Sequence, residues 1–491
     1  MSLITVLRGR NVGILTAGLF LVCVIFFGGF FIVRNLHILT YDRLVQKFIP
    51  GVHGVVLVVP ESTTRPTFDP WQPLEQNRSL DEMLIRLCRE ATMPDTCAME
   101  PGVRFELFTK GHRVGTEFEN VALVRGTIPL TSGDITSQLL DERLSLMRDW
   151  ALANQRSDGS YQYLYHPSSG SYPEGSNVIR EMITVQGLYA LGNLLNDAEL
   201  IKAARAAEKQ ALFAYYRFDA TKVYGYMVEA DGEVKLGATG LAVLALREGK
   251  SDDEFLDARE KALGSFLLSM QRDDGSFQTF LHDAATDENE RFYSGEALTA
   301  IAVLARVSGE TKYYDALNQS LPYYRVKLAD DFYPQYAPWH MQAYTIAYKN
   351  TQNEAYAEYV YWLADKLIET MLAEDYAALP DEEGRFSNAM HPEWGPPHSS
   401  STGIYTEGLT YALELAQLRG DSERIEQYQK AVLSGTRSLL HVQWTPESAY
   451  YLKYPERTVG AFKRTVTDNR HRIDQLGHAL NALTRVREFA F

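Results

Sequence analysis

The sequence predicts a mainly α protein: an (α/α)6 toroid of six helical hairpins, preceded by a transmembrane helix and a small α+β module. Three observations carry this. A phrase that closes one helix, Gln155-Arg156-Ser157-Asp158-Gly159-Ser160-Tyr161, returns almost unchanged as Gln271-Arg272-Asp273-Asp274-Gly275-Ser276-Phe277. A recurring helix–turn–helix unit of this kind marks a repeat architecture. From about residue 134 onward the apolar residues keep a helical period, and well before that Val12 to Val33 runs for 22 residues without a charge.

The charge-free run comes first in the chain. At a rise of about 1.5 Å per residue it can cross a hydrocarbon core of about 30 Å. A cleaved signal peptide would have a shorter apolar stretch and a small-x-small site after it. Here the run ends in Phe30-Phe31-Ile32-Val33-Arg34, so it reads as an uncleaved anchor. Arg8 and Arg10 precede it and Arg34, Arg43 and Lys47 follow, so flanking charge gives no orientation. A cytoplasmic stub of residues 1–11 most simply leaves the bulk of the chain extracytoplasmic, periplasmic or extracellular. Cys23 lies in the run, leaving Cys88 and Cys97 nine apart. They could close a small disulfide loop in an oxidising compartment, or remain two thiols near a helix end. The formal net charge of −15 argues against nucleic acid and anionic membrane surfaces as partners.

Residues 34–130 read as a linker and a small α+β module. Leu36 to Gly51 is a juxtamembrane helix or linker, Gly54 to Val59 a buried strand, and Leu80 to Arg89 a helix. Val103 to Phe108 and Val114 to Phe118 form a hairpin signal across Lys110-Gly111-His112. No chemistry stands out there.

Residues 131–491 carry the toroid. Outer helices over 134–154, 197–217, 251–271, 310–328, 352–374 and 421–441 pair with inner helices over 178–195, 236–248, 291–307, 338–349, 402–418 and 471–488. Outer helices carry charge on one face. Inner ones are rich in small residues and nearly uncharged, as in Gly240-Leu241-Ala242-Val243-Leu244-Ala245-Leu246. A helix apolar on nearly all sides must be surrounded by protein, so the inner set forms a ring wrapped by the outer set. Inner helices share a polar residue before a small one: Gln186, Thr239, Glu296, Gln342 and Glu407. Burying polar groups at one depth is costly unless they hydrogen-bond or face a wet cavity. A polar ring around the toroid mouth is expected, the alternative being bonds to neighbouring backbone turns.

Loops into the inner helices surround one end of the central cavity, and functional residues should gather there. The longest, about 375–401 and 442–470, exceed ordinary connections. Glycoside cleavage needs two carboxyl groups, one protonated acid and one base or nucleophile. Glu296 and Glu407 are the best pair, with Asp474 and Glu393 as substitutes. Proton abstraction beside a uronate carboxylate instead needs Tyr or His with Arg, which Tyr293, Tyr336, His340, Tyr405, Arg470 and His471 could supply. Arg180 and Arg291 could fork onto a uronate, and Trp339 and Trp394 could stack on sugar rings. Each has a plainer role: the two glutamates neutralising Arg180 or Arg291, His340 anchoring a loop. His391 and His398 flank a Pro-Pro pair, a spacing not specific for zinc. No metal or cofactor is expected.

Over residues 134–491 the hairpin count and the Gln-x-x-Asp-Gly-Ser-aromatic turns resemble those of α/α-toroid glycan enzymes. These comprise six-hairpin glycosidases, N-acylglucosamine epimerase-like barrels and D-glucuronyl C5-epimerase-like domains. Asp468-Asn469-Arg470-His471 is similar to an acidic-x-Arg-His run near the end of glucuronyl epimerases. Prenyltransferase β-subunits, lanthionine cyclases and thioester domains need a cysteine that residues 131–491 lack, and the Asp-x-Asp-Asp cluster of squalene-type cyclases is absent. The resemblance implies an enzyme acting on a polysaccharide or oligosaccharide, by hydrolysis or by uronate epimerisation or elimination, which the charge-free run would anchor in a membrane with its bulk extracytoplasmic. The rival is a non-catalytic glycan- or partner-binding toroid of an envelope or polysaccharide assembly.

Overall fold

The computed structural model describes residues 38–115, 120–250, 257–283, 289–371, 379–387, 391 and 397–491. Alternating apolar residues first build a small sheet. Strands β1 (Ile38–Leu39), β2 (His53–Val58), β3 (Thr67–Phe68) and β4 (Arg104–Thr109) pair antiparallel in the order β1-β4-β2-β3. Helices α1 (Tyr41–Lys47), α2 (Gln72–Gln76) and α3 (Leu80–Glu90) accompany them. Val55, Leu57, Phe68 and Phe105 share a core with Met83, Leu84 and Leu87 of α3. Ser79 and Glu82 close a reciprocal cap at the start of α3. Cys88 and Cys97, both buried, form a disulfide with Cα atoms 5.8 Å apart.

The hairpin expected between 103–108 and 114–118 does not form. β4 lies between β1 and β2, where both rows of its backbone groups find partners. The next segment pairs on itself, β5 (His112–Gly115) with β6 (Asn120–Leu123).

The expected transmembrane helix and single-pass membrane placement require correction. Among the described residues no helix is long and apolar enough to cross a membrane. Val12–Val33, with the orientation inferred from it, lies outside the described residues.

Among the described residues twelve α-helices follow the module, alternating outer and inner. The hairpins are α4 (Ser137–Asn154) with α5 (Val178–Leu195), α6 (Ala198–Tyr215) with α7 (Leu236–Glu248), and α8 (Ala258–Ser269) with α9 (Glu290–Ser308). Next come α10 (Thr311–Asp330) with α11 (Ala337–Thr351), α12 (Glu354–Ile368) with α13 (Ser399–Arg419), and α14 (Ser422–His441) with α15 (Ile473–Phe489). Each inner helix packs on the next, and α15 packs back on α5, closing the ring. Small residues let the inner backbones approach: a Cβ on Gly477 would crowd the backbone of Thr184, and one on Gly240 that of Glu296. Three short pairs decorate the loops: β7 (Leu164–Tyr165) with β10 (His471–Arg472), and β8 (Tyr216–Asp219) with β9 (Tyr224–Met227) are two of them, and β5–β6 is the third.

The repeated phrase acts as a stitch between neighbouring outer helices. Gln155 Nε2 donates to Ala203 O of α6 at 2.7 Å, and Gln271 Nε2 to Ala316 O of α10 at 2.8 Å. Asp158 and Asp274 each accept the backbone N–H of the serine two residues on. Gly159 and Gly275 take φ of 90° and 91°, with no room for a Cβ against the next outer helix. The same stitch recurs where the phrase is unrecognisable. Gln443 donates to Arg143 O of α4 at 3.0 Å and bridges to Phe462, with Gly460 against the backbone of Leu146.

Candidate active site

The N-terminal ends of the inner helices surround an upper cavity of about 440 Å³. Its most ordered feature is Asp474, in the first turn of α15. The β7–β10 pairing fixes Arg472 two residues ahead, and its guanidinium grips Asp474 with two bonds, Nε–Oδ1 2.5 Å and Nη2–Oδ2 2.8 Å. Ser400 Oγ donates to Asp474 Oδ2 at 3.1 Å, and Arg180 Nε lies 3.8 Å from the same oxygen. Burial alone would raise this carboxyl, but the bonds and charge of Arg472, with Arg180 behind, pull it down to about 2. It is a carboxylate at any working pH.

Glu296 faces the same cavity from α9 and behaves oppositely. Its carboxyl packs against Gly237 of α7, its Oε2 meets no protein partner, and burial pushes it up to about 8. It is protonated at neutral pH. Tyr293, one turn earlier, and Tyr405 on α13 also line the cavity, and burial raises both phenols, so they keep their protons. Tyr405 meets the edge of Phe386 at 5.1 Å. Trp339 forms part of the wall, its ring 6.3 Å from that of His478.

Two histidines complete the wall. His398 caps α13, its Nδ1 accepting Ser401 N–H at 3.2 Å, and His478 Nδ1 has no protein partner. Burial lowers each to about 4, so both rings are neutral near pH 7. Among these described lining groups the charges near neutrality are three arginines, Arg180, Arg464 and Arg472, against the one carboxylate of Asp474.

The loop carrying Arg464 and Arg472 is held from behind by the small module. Asn469 Nδ2 donates to Leu74 O at 3.0 Å, Asn469 N–H to Asn77 Oδ1 at 2.8 Å, and Lys463 Nζ to Gly126 O at 3.1 Å.

Of the expected site residues, Glu296, Tyr293, Tyr405, Asp474, Arg180 and Trp339 meet in this cavity. Others lie elsewhere. Glu407 does not line this cavity; it is buried without a partner for Oε2, and burial pushes it up to about 8. His340 is enclosed among Tyr324, Tyr344 and Tyr359, its Nδ1 3.0 Å from Tyr359 Oη, and burial lowers it to about 3. Tyr336 donates to Glu290 at 3.1 Å, and Arg291 lies over the Tyr333 ring. Arg470 clamps Asp468 with bonds of 2.8 and 2.6 Å. His471 sits between Trp150 and Tyr165 in β10. Trp394 and Glu393 lie outside the described residues.

Arg464 and Ser400 join the site unexpectedly, and His398, Arg472 and His478, which stand at the loop ends where functional residues were expected, join it without having been given a role there. Only Arg472 had a readable signal, an Arg two residues before an Asp at a helix start. The expected polar ring is also displaced: it forms a waist rather than a mouth. Glu296 faces the upper cavity, Gln186 and Gln342 face a cavity beyond it, and Thr239 accepts Met227 N–H at 3.2 Å.

No family model matches the sequence, and no curated protein matches it. Solved structures match its shape. One is an unsaturated glucuronyl hydrolase, responsible for the degradation of glycosaminoglycan, from Bacillus sp. GL1: 13% identity, 72% of this chain and 98% of that chain, TM-score 0.52. D-mannose isomerase gives 12%, 72% and 98%, and 0.51. An α-1,6-mannanase from Salegentibacter sp. HEL1_6 gives 11%, 70% and 98%, and 0.51. With the ring of hairpins closed by α15 on α5, these likenesses show that the chain has an α/α-toroid fold of helical hairpins.

Proposed function

We propose that the chain is a carbohydrate-active enzyme that takes an anionic, uronate-type saccharide into the upper cavity. One observation carries this: a neutral carboxyl, Glu296, and an ionised one, Asp474, share a cavity with Arg180, Arg464 and Arg472. Glycoside cleavage uses such a split, because one group must give a proton while the other bears charge. In this reading Glu296 protonates the departing oxygen as its bond to the sugar carbon breaks, and a water then bonds that carbon and returns a proton to Glu296. Asp474, held by Arg472, stabilises positive charge growing at the sugar carbon. Arg180 and Arg464 meet the acid group of the sugar, and Trp339, Tyr293 and Tyr405 pack on its ring faces. The neutral His398 and His478 bond hydroxyls without adding charge.

The named neighbours support a glycan as the substrate class. One degrades glycosaminoglycan, and an inactive variant of the mannanase is in complex with α-1,6-mannotriose. The test is turnover and binding of uronate-containing oligosaccharides by Glu296→Gln. Lost turnover with retained affinity supports the enzyme; unchanged turnover overturns it. One observation favours a binding-only reading: both oxygens of Asp474 are engaged by Arg472, which leaves a poor base. Saccharide binding with no turnover in the wild-type chain would establish that reading instead.

A further inference from the structure

The C-terminal ends of the inner helices surround a second cavity, of about 630 Å³, beyond the waist. Six lysines and arginines line it, among them Arg247, Arg306, Lys349 and Arg485, against the two carboxylates Glu248 and Glu414. The whole chain, by contrast, has a net charge of −15. A base in the last turn of a helix answers the helix dipole, and that accounts for Arg247, Arg306 and Lys349 at the ends of α7, α9 and α11. It does not account for the floor. Gln342 is 1% exposed and lines the cavity, yet its Nε2 donates to no protein atom. Across the ring, on α5, Gln186 Oε1 is buried and accepts from none. A buried amide left unbonded destabilises the fold, and an apolar side chain of similar size would fill the same space without that penalty. The walls are ordered as well: Arg485 lies over the Tyr411 ring, 3.5 Å from guanidinium carbon to centroid, and pairs with Glu414 at 2.8 Å.

We propose that this lower cavity is a second ligand site, for a small hydroxyl-rich anion: a sugar or polyol carrying a carboxylate or phosphate group. The floor amides bond its hydroxyls and the cationic rim takes its charge. The waist separates it from the upper cavity: Glu296 and Thr299, one turn apart on α9, line different cavities, as do Trp339 and Gln342 on α11. The site therefore stands apart from the proposed function, and either can fail without the other.

Titration calorimetry on the full chain tests it, with D-glucuronate, D-glucose 6-phosphate and neutral D-glucose as probes. At least one anion should bind, and Gln342→Leu should weaken it at least about tenfold, the worth of a buried hydrogen bond, while raising the melting temperature of the ligand-free protein. Arg180→Gln removes any uronate binding that belongs to the upper cavity, and the event weakened by Gln342→Leu should persist in it. Exposed Arg306→Gln should weaken the same event several-fold and serves if the buried variant does not fold. Binding of glucuronate alone assigns a carboxylate ligand, and of the phosphate alone a phosphoryl ligand. Binding of neither anion, glucose binding as tightly as both, or affinity unmoved by Gln342→Leu and Arg306→Gln would overturn the proposal.

Discussion

The two ends of the toroid are made from the same six inner helices and share almost nothing else. At the upper end long loops lead into the helices and bring Arg180, Glu296, His398 and Asp474 to one cavity. At the lower end α7 and α8 are joined by the longer 249–257, which brings Lys250 to the cavity, and elsewhere the chain reverses through two residues at a time: Asn196-Asp197, Gly309-Glu310, Gln352-Asn353 and Gly420-Asp421. The first residue of each is left-handed, with φ of 51°, 67°, 52° and 66°, which ends the inner helix. Asp197, Asn353 and Asp421 then cap the next outer helix through their side chains. So tight a reversal leaves no room for inserted side chains, and apart from Lys250 the charged groups lining that end come from the helices themselves. Loop length, more than helix composition, separates a titratable cluster from a cationic basin.

The sharpest way to break this comparison is at the two buried glutamates. Glu296→Gln should lower kcat on a uronate oligosaccharide by about 10²–10⁴-fold, the usual worth of a general acid, with affinity retained. Glu407→Gln, outside both the upper and the lower cavity, should cost less than about tenfold. An equal loss would move the chemistry from the upper end to the waist.

Arg472→Ala should come next in size. It leaves Asp474 buried without its main partner, at a cost of about 3 kcal/mol, read as a lower urea midpoint. A variant as stable as wild type would mean that Asp474 is not organised by that pair.

The pH dependence of stability separates the same groups. Glu296 and Glu407 stand near 8 in the fold, well above an exposed glutamate. Their unfolded forms lose protons first, so stability should fall from about pH 4.5 toward 8, by about 1.4 kcal/mol per unit for each group. The double Gln variant should flatten that fall. Asp474 works the other way: its contribution is present above about pH 4 and lost as pH drops toward its lowered value of about 2. Activity that depends on protonated Glu296 should decline above about pH 8, and a profile flat to pH 10 would remove Glu296 from the acid role.

The smallest effect sharpens the stitch. Gln443→Ala removes the donor to Arg143 O and should cost about 1 kcal/mol, close to the effect of Gln155→Ala. A much smaller loss at Gln443 would show that the degenerate copy does not share the role of the legible one.

The legible parts of the site were those placed by helical period. Glu296 and Tyr293 lie one turn apart on an inner helix, and Asp474 begins another, so loop-end position was enough to select them. His340, Tyr336 and Glu407 satisfied the same criterion and still face away, because a nearly uniform apolar helix does not reveal which flank meets the axis. His471 satisfied that criterion too and also carried a four-residue similarity, whereas its ring packs between Trp150 and Tyr165. Arg464 and His398 are brought in by long loops whose paths no periodicity describes.

By itself the sequence determined the repeat: helices alternating between amphipathic and uniformly apolar, and a Gln–Asp-Gly–aromatic turn that only a close neighbour could require. Those are short-range patterns, set by side-chain period and by backbone angles that glycine alone adopts easily. Only the tertiary structure decided that Met371 and Phe386, and Gln443 and Phe462, close versions of the same turn across inserted segments. It alone decided, too, that Glu296 is left without a partner while Asp474 is held by Arg472. Both outcomes depend on which distant groups share a dry space, and protonation follows the surroundings more than the residue type.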